Sequence, residues 1–221
     1  QVTDQAGGVT ALAWSPDSTR LYAGLRRGRD THREGGRLLV IDPRDGSRRS
    51  VHLANEPGVA SLDVTPDGTT LVVGYARGRV SLHALPDFQV LHDWQAHADH
   101  LTSSAFSTDG TQVLTSSEDG GTRIWRTTSG ALQLDIPGNA GEVWAAVWSH
   151  DDLRVAAACH DGIVRLYDTT DGALVAQLRG HADYVHGLAF TPDGNALVSG
   201  SGDGSVRLWR SSGRKPLSVS R

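Results

Sequence analysis

A period of 42 residues, running through short apolar segments, predicts an all-β fold: a β-propeller of about five four-stranded blades. Three registers carry the period. Phe106, Trp148 and Phe190 recur every 42 residues, with Val64 in the slot before them. Asp42, Ala84, Arg126, Asp168 and Arg210 recur at the same interval. Asp119, Asp161 and Asp203 do so again, each followed by glycine.

The elements follow in order within each repeat. Leu12 and Trp14 alternate with Ala11 and Ala13, and Leu208 alternates with Arg207 and Trp209. Period-two runs of this length read as half-buried strands, and no segment has helical periodicity. First strands are predicted near residues 9–14, 59–64, 101–106, 143–148 and 185–190. Pro16-Asp17-Ser18, Pro66-Asp67-Gly68, Asp109-Gly110 and Pro192-Asp193-Gly194 mark the turns into the second strands. Asp-Gly pairs tolerate the positive φ of tight turns. Thr128-Ser129-Gly130 and Thr170-Asp171-Gly172 divide third from fourth strands. The predicted blades span about 7–54, 55–96, 97–138, 139–180 and 181–221.

Trp14 and Val64 are 50 residues apart, so the first unit carries eight extra residues. They fall in an arginine-rich, glycine-rich segment from Arg26 to Gly36, predicted to be an exposed loop between second and third strands. The phase places Val2 at the end of a fourth strand whose blade is otherwise missing. Leu217 and Val219 suit a last fourth strand, although Pro216 weakens that reading. The chain has no methionine and starts at Gln1. The expectation is a piece of a larger ring of seven or more blades.

Composition narrows the function classes. A net charge of -4 gives no basic surface that would call for nucleic acid. The one cysteine, Cys159, cannot form an internal disulfide, so a cytoplasmic location is expected. No apolar run approaches the roughly 18 residues of a membrane span, so no membrane partner is expected.

At its motifs the chain resembles the WD-repeat β-propeller family over essentially its whole length. The fifth unit carries Gly180-His181, Thr191-Pro192-Asp193-Gly194 and the run from Ser199 to Trp209. The third carries His97, Asp119 and Trp125. The resemblance implies one hydrogen-bonded network of His181, Ser199, Asp203 and Trp209, and another of His97, Thr115, Asp119 and Trp125. A carboxylate can orient an imidazole while a hydroxyl and an indole N–H complete the set. Serine, histidine and aspartate invite comparison with a hydrolase, but a serine inside a strand reads as structural. No catalytic residue, metal site or cofactor is expected. The fourth unit has Asn139, Ala157 and Tyr167 around Asp161, so Asp161 should matter less for stability. The second has Asn55, Val73, Arg77 and His83 in the same slots, and both units should lack the full network and lean more on packing. Arg123, Arg165 and Arg207 form a further ladder on third strands, read as joining strands or blades.

The resemblance also implies a partner-binding face at the start of the first strand and at the residue before the turn aspartate. Those positions are Gly8, Thr10, Gly58, Ala60, Ala76, His100, Thr102, Glu118, Glu142, Trp144, His160, Tyr184, His186 and Gly202. The first two units offer small residues there. The later three offer aromatics, histidines and glutamates, so His100, Glu118, Glu142, Trp144, His160, Tyr184 and His186 are the candidate contact residues. Aromatics with polar neighbours anchor protein interfaces. Arg26, Arg27, Arg29 and Arg33 of the insertion are a second candidate set, suited to an anionic or phosphorylated partner. A metal site from His100, His160, His186, Glu118 and Glu142 lacks any local ligand spacing. The functional expectation is a non-catalytic scaffold or docking segment of a larger regulatory protein, binding another protein or peptide. A propeller enzyme is the weaker alternative.

Overall fold

The computed structural model describes residues 8–25, 36–53, 58–136, 141–211 and 217–219. They form five four-stranded antiparallel sheets. Sheet 1 holds β1 (Val9–Trp14), β2 (Leu21–Leu25), β3 (Arg37–Ile41) and β4 (Arg48–His52). Sheet 2 holds β5 (Val59–Val64), β6 (Thr70–Tyr75), β7 (Arg79–Ala84) and β8 (Gln89–Gln95). Sheet 3 holds β9 (Leu101–Phe106), β10 (Gln112–Ser117), β11 (Thr122–Arg126) and β12 (Leu132–Ile136). Sheet 4 holds β13 (Val143–Trp148), β14 (Arg154–Cys159), β15 (Val164–Asp168) and β16 (Leu174–Leu178). Sheet 5 holds β17 (Val185–Phe190), β18 (Ala196–Ser201), β19 (Val206–Ser211) and β20 (Leu217–Val219). The short last strand pairs with β19 despite the preceding proline, with Val219 opposite Trp209.

One turn, built five times, joins first to second strand. A hydroxyl donates to the aspartate two residues on: Ser15 to Asp17, Thr65 to Asp67, Ser107 to Asp109, Ser149 to Asp151 and Thr191 to Asp193, at 2.5–2.7 Å. The same aspartates accept the amides of Thr19, Thr69, Thr111, Leu153 and Asn195. The residue after each aspartate has φ between 55° and 74°. Gly68, Gly110 and Gly194 adopt that angle without strain; Ser18 and Asp152 do not.

The apolar cores lie between sheets rather than at one centre. Val59, Leu62 and Tyr75 of sheet 2 pack on Tyr22 and Leu38 of sheet 1. Leu101, Phe106 and Trp125 of sheet 3 pack on Val72 and Leu82. Trp148 and Tyr167 of sheet 4 pack on Leu114 and Ile124. Leu197 and Trp209 of sheet 5 pack on Ala156 and Leu166. Polar bonds stitch neighbouring first strands. Asp63 accepts the Phe106 amide at 2.7 Å, and the Trp148 indole donates to Ala105 O at 3.2 Å.

The row of sheets does not close into a ring among the described residues. Leu12 on β1 is 60 % exposed and Val206 on β19 is 75 % exposed. Their counterparts Leu62 and Val164 are buried.

Candidate functional site

Two features bring the candidate binding residues to one edge of the sheets. The first is a bulge at the second residue of each first strand. The register slips there, at Thr10, Ala60, Trp144 and His186, and a matching slip in sheet 3 sets Thr102 out of register. A bulge leaves one residue unpaired and re-aims its side chain. Thr10 and Thr102 turn their hydroxyls to the next sheet, donating to Val59 O at 2.5 Å and Val143 O at 2.7 Å. The second feature is a backbone bond eighteen residues across. The amides of Ala76, Glu118, His160 and Gly202 donate to the carbonyls of Gly58, His100, Glu142 and Tyr184, at 2.9–3.1 Å. Each bond sets the residue before the turn aspartate beside the start of the first strand.

The edge has two halves. Over sheets 1–3 the small residues leave a cavity of about 690 Å³, lined by Thr10, Gly58, Ala60, Ala76, Arg77, His100 and Glu118. Over sheets 4 and 5 lies a cluster of rings. Tyr184 meets His186 edge-on at 4.3 Å between centroids. Trp144 lies 6.0 Å from Tyr184 and 6.1 Å from His186. His160 stacks on Tyr184 at 6.0 Å, and its Nδ1 lies 3.2 Å from Glu142 Oε2. Trp144 and Tyr184 are half-buried, and His160 and His186 are exposed. Tyr184 also covers Gly202, where a Cβ would stand 2.8 Å from the phenol carbon Cζ.

His100 sits apart from those rings. Its Nδ1 lies 2.9 Å from Asp99 Oδ1 and 3.8 Å from Glu118 Oε2. These three residues are the one group of three potential metal ligands among the described residues. The wider set with His160, His186 and Glu142 does not converge. Asp99 was not among the sequence candidates; it precedes His100 in the turn entering β9. Arg26, Arg27, Arg29 and Arg33 lie outside the described residues.

Away from this edge, the two predicted networks form as chains of donors. In sheet 3 the Trp125 indole donates to Thr115 Oγ1 at 2.8 Å. Thr115 Oγ1 lies 2.8 Å from His97 Nε2, and His97 Nδ1 lies 3.0 Å from Asp119 Oδ1. Nδ1 faces the Asp119 carboxylate, which only accepts, and lies 2.7 Å from Arg123 Nη1, which only donates, while Nε2 faces the threonine hydroxyl. In sheet 5 the Trp209 indole donates to Ser199 Oγ at 2.8 Å, which lies 2.8 Å from His181 Nε2. His181 Nδ1 lies 3.0 Å from Asp203 Oδ2. Ser199 is fully buried and its Oγ already accepts the indole hydrogen bond, so no substrate carbonyl can reach it.

Sheets 2 and 4 carry polar contacts that the sequence did not announce. Sheet 2 does not rely on packing alone: Tyr75 Oη lies 3.0 Å from Ser81 Oγ, which lies 2.7 Å from His83 Nε2. His83 Nδ1 reaches Phe88 O at 3.1 Å. In sheet 4 Arg165 takes the place of the missing imidazole. It donates twice to Asp161, at 2.9 and 2.6 Å. Arg123 shares its aspartate with His97 and donates to Ala96 O at 3.0 Å, tying β11 to the segment after β8. Burial pushes the Cys159 thiol up to about 11, which suits packing and not nucleophilic chemistry.

Burial opposes the charge on Asp119, but the amides of Ala98 and Gly121 and the His97 ring hold its carboxyl well below the ordinary range. Burial keeps His97 below its ordinary value, despite Asp119. The Asp119 contribution to stability is therefore complete above the unfolded value of about 3.9 and is lost as pH falls through the native one. His97 adds a loss below its own unfolded value, about 6.5. Below pH of about 4, wild type should lose denaturant midpoint more steeply than Asp119→Asn, which starts lower. Parallel acid limbs would contradict a charged Asp119 in the native state.

The WD40 family, described as "WD domain, G-beta repeat", matches residues 2–32, 88–126, 130–168 and 172–210. The last three matches each run from the fourth strand of one sheet to the third strand of the next. The chain is also similar to "Pre-mRNA-processing factor 19 homolog 2" of Arabidopsis thaliana, with 32% identity over 80 residues, covering 36% of this chain and 15% of that protein. It is similar to "Periodic tryptophan protein 2" of Saccharomyces cerevisiae, with 26% identity over 127 residues, covering 38% of this chain and 14% of that protein. Among the described residues no helix is long and apolar enough to cross a membrane. With four repeat matches over more than half its length and the networks, turns and four-stranded sheets in place, the chain belongs to the WD40 family.

Proposed function

We propose that the chain is a protein-docking segment, engaging a partner protein or peptide through the edge that carries Trp144 and Tyr184. WD40 repeats generally act as protein-interaction scaffolds. The observation that supports the reading is the gathering of Trp144, Tyr184, His160 and His186 from two adjacent sheets into one partly open cluster. Rings held this way lose little conformational freedom on binding and bury large area, which is what interface anchors need. The matched parts of the two relatives are about a seventh of each protein, so their names bear on repeat architecture and not on this partner.

The test compares wild type with the Trp144→Ala, Tyr184→Ala double variant and with Gly202→Ala. The double variant should lose about tenfold or more in affinity for captured partners, the scale of an interface anchor. Gly202→Ala leaves both rings in the sequence but displaces Tyr184, so it should weaken capture with a denaturant midpoint close to wild type. Undiminished capture by both variants would refute the proposed docking edge.

A further inference from the structure

The ring cluster sits among carboxylates. Glu142 lies against His160. Asp183 is exposed, and its Oδ1 accepts the Tyr184 amide at 2.8 Å. One sheet away, Asp99 and Glu118 flank His100. Among the described residues no ion pair joins an arginine to Glu142 or Asp183. The only lysine in the chain is Lys215, which lies outside the described residues. Arg123 and Arg165 are tied to the turn aspartates, and Arg77 lines the cavity over the neighbouring sheets. Aromatic faces are themselves negative, and a cation over them gains from the ring quadrupole.

Resting on the docking edge above, we propose that the ledge of Trp144, Tyr184 and His186, bordered by Glu142 and Asp183, receives a cationic side chain, arginine or lysine, of the partner. The rings supply a flat, partly desolvated surface for the stem and charge, and the carboxylates balance the charge. The rim carboxylates are open to dissolved ions, which screen them, so their share falls as salt rises.

The experiment uses synthetic peptides with one variable central residue: arginine, lysine, citrulline or leucine. Binding is followed through the aromatic resonances of Trp144 and Tyr184 in the whole chain. The arginine or lysine peptide should shift both rings and bind about tenfold tighter than the citrulline peptide, which keeps the shape of arginine without its charge. Glu142→Gln should weaken the cationic peptide severalfold and leave the citrulline peptide unchanged. Rising salt should weaken only the cationic peptides. Equal binding of arginine and citrulline peptides, tightest binding by the leucine peptide, or no ring shift with any peptide would each overturn the cation proposal. The docking reading fails on a different result, unchanged partner capture by the Trp144→Ala, Tyr184→Ala double variant and by Gly202→Ala.

Discussion

Trp209→Ala is expected to cost roughly 3–5 kcal/mol, the range for truncating a large core aromatic. Trp209 is fully buried and packs with Leu197 and Val185 against Ala156, Ala158 and Leu166 of the preceding sheet. It also meets His181 edge-on at 6.2 Å and donates to Ser199. Truncation thus opens a cavity and removes a donor from a buried hydroxyl. Trp209→Phe separates the two losses: it keeps most of the ring and should cost about 1–2 kcal/mol for the lost bond and the smaller volume. Trp94→Ala is the control. Trp94 is half-buried, its ring lies 5.5 Å from Trp125, and its indole N–H is buried without a partner. Its removal loses contact area but also relieves an unpaired donor, so the loss should be clearly smaller. Urea midpoints report the order directly, and equal losses for the two alanine variants would contradict it. The slope is informative too. Among the described residues sheet 5 has a neighbour on one side only, and stability in repeat folds is a sum of unit and interface terms. If Trp209→Ala releases sheet 5 from sheet 4, the slope should fall along with the midpoint.

What was legible in the sequence is what repeats locally. The five first strands and the Asp-Gly-type turns follow from residues at fixed short offsets, and the histidine networks of sheets 3 and 5 followed from the family resemblance. Such offsets fix hydrogen bonds between adjacent strands, whose register depends on the turn between them. The binding-edge positions followed from the family resemblance, and the bulges and the amide bonds from Glu118, His160 and Gly202 give the physical reason they share an edge. Substituted networks were not legible. His83 occupies the tryptophan slot of sheet 2 and gains its partners from Tyr75 and Ser81, which no repeat position announces. The proximity of Trp144 to His186 was equally hidden, because it depends on how one sheet is set against the next. A signal for the sheet 4 substitution did exist: Arg165 stands four residues after Asp161, in a unit without the histidine.

That pairing argues against the expectation that Asp161 matters less, and Asp161→Ala, which takes both carboxylate bonds from a buried guanidinium although Asp161 itself is exposed, should cost about 1.5–3 kcal/mol. The Arg165 side chain is only 6 % exposed, and its Nε has no partner. Asp161 supplies both carboxylate bonds to this guanidinium, while burial opposes its own charge. Hydrogen bonding to Asp161 outweighs burial and raises the guanidinium's hold on its proton further, so Arg165 cannot escape by deprotonating. Removing Asp161 therefore strands a charge among Ala157, Cys159 and Tyr167. The proof lies in a second substitution. Arg165→Met in the Asp161→Ala background removes the stranded charge and keeps an aliphatic stem of similar reach. Replacing a buried pair by apolar groups is often neutral or better. The double variant should therefore recover most of the loss, giving a strongly non-additive cycle. If the two substitutions add, Arg165 is solvated once Asp161 is gone, and the aspartate acts only through the turn that it shares with the Ile163 amide.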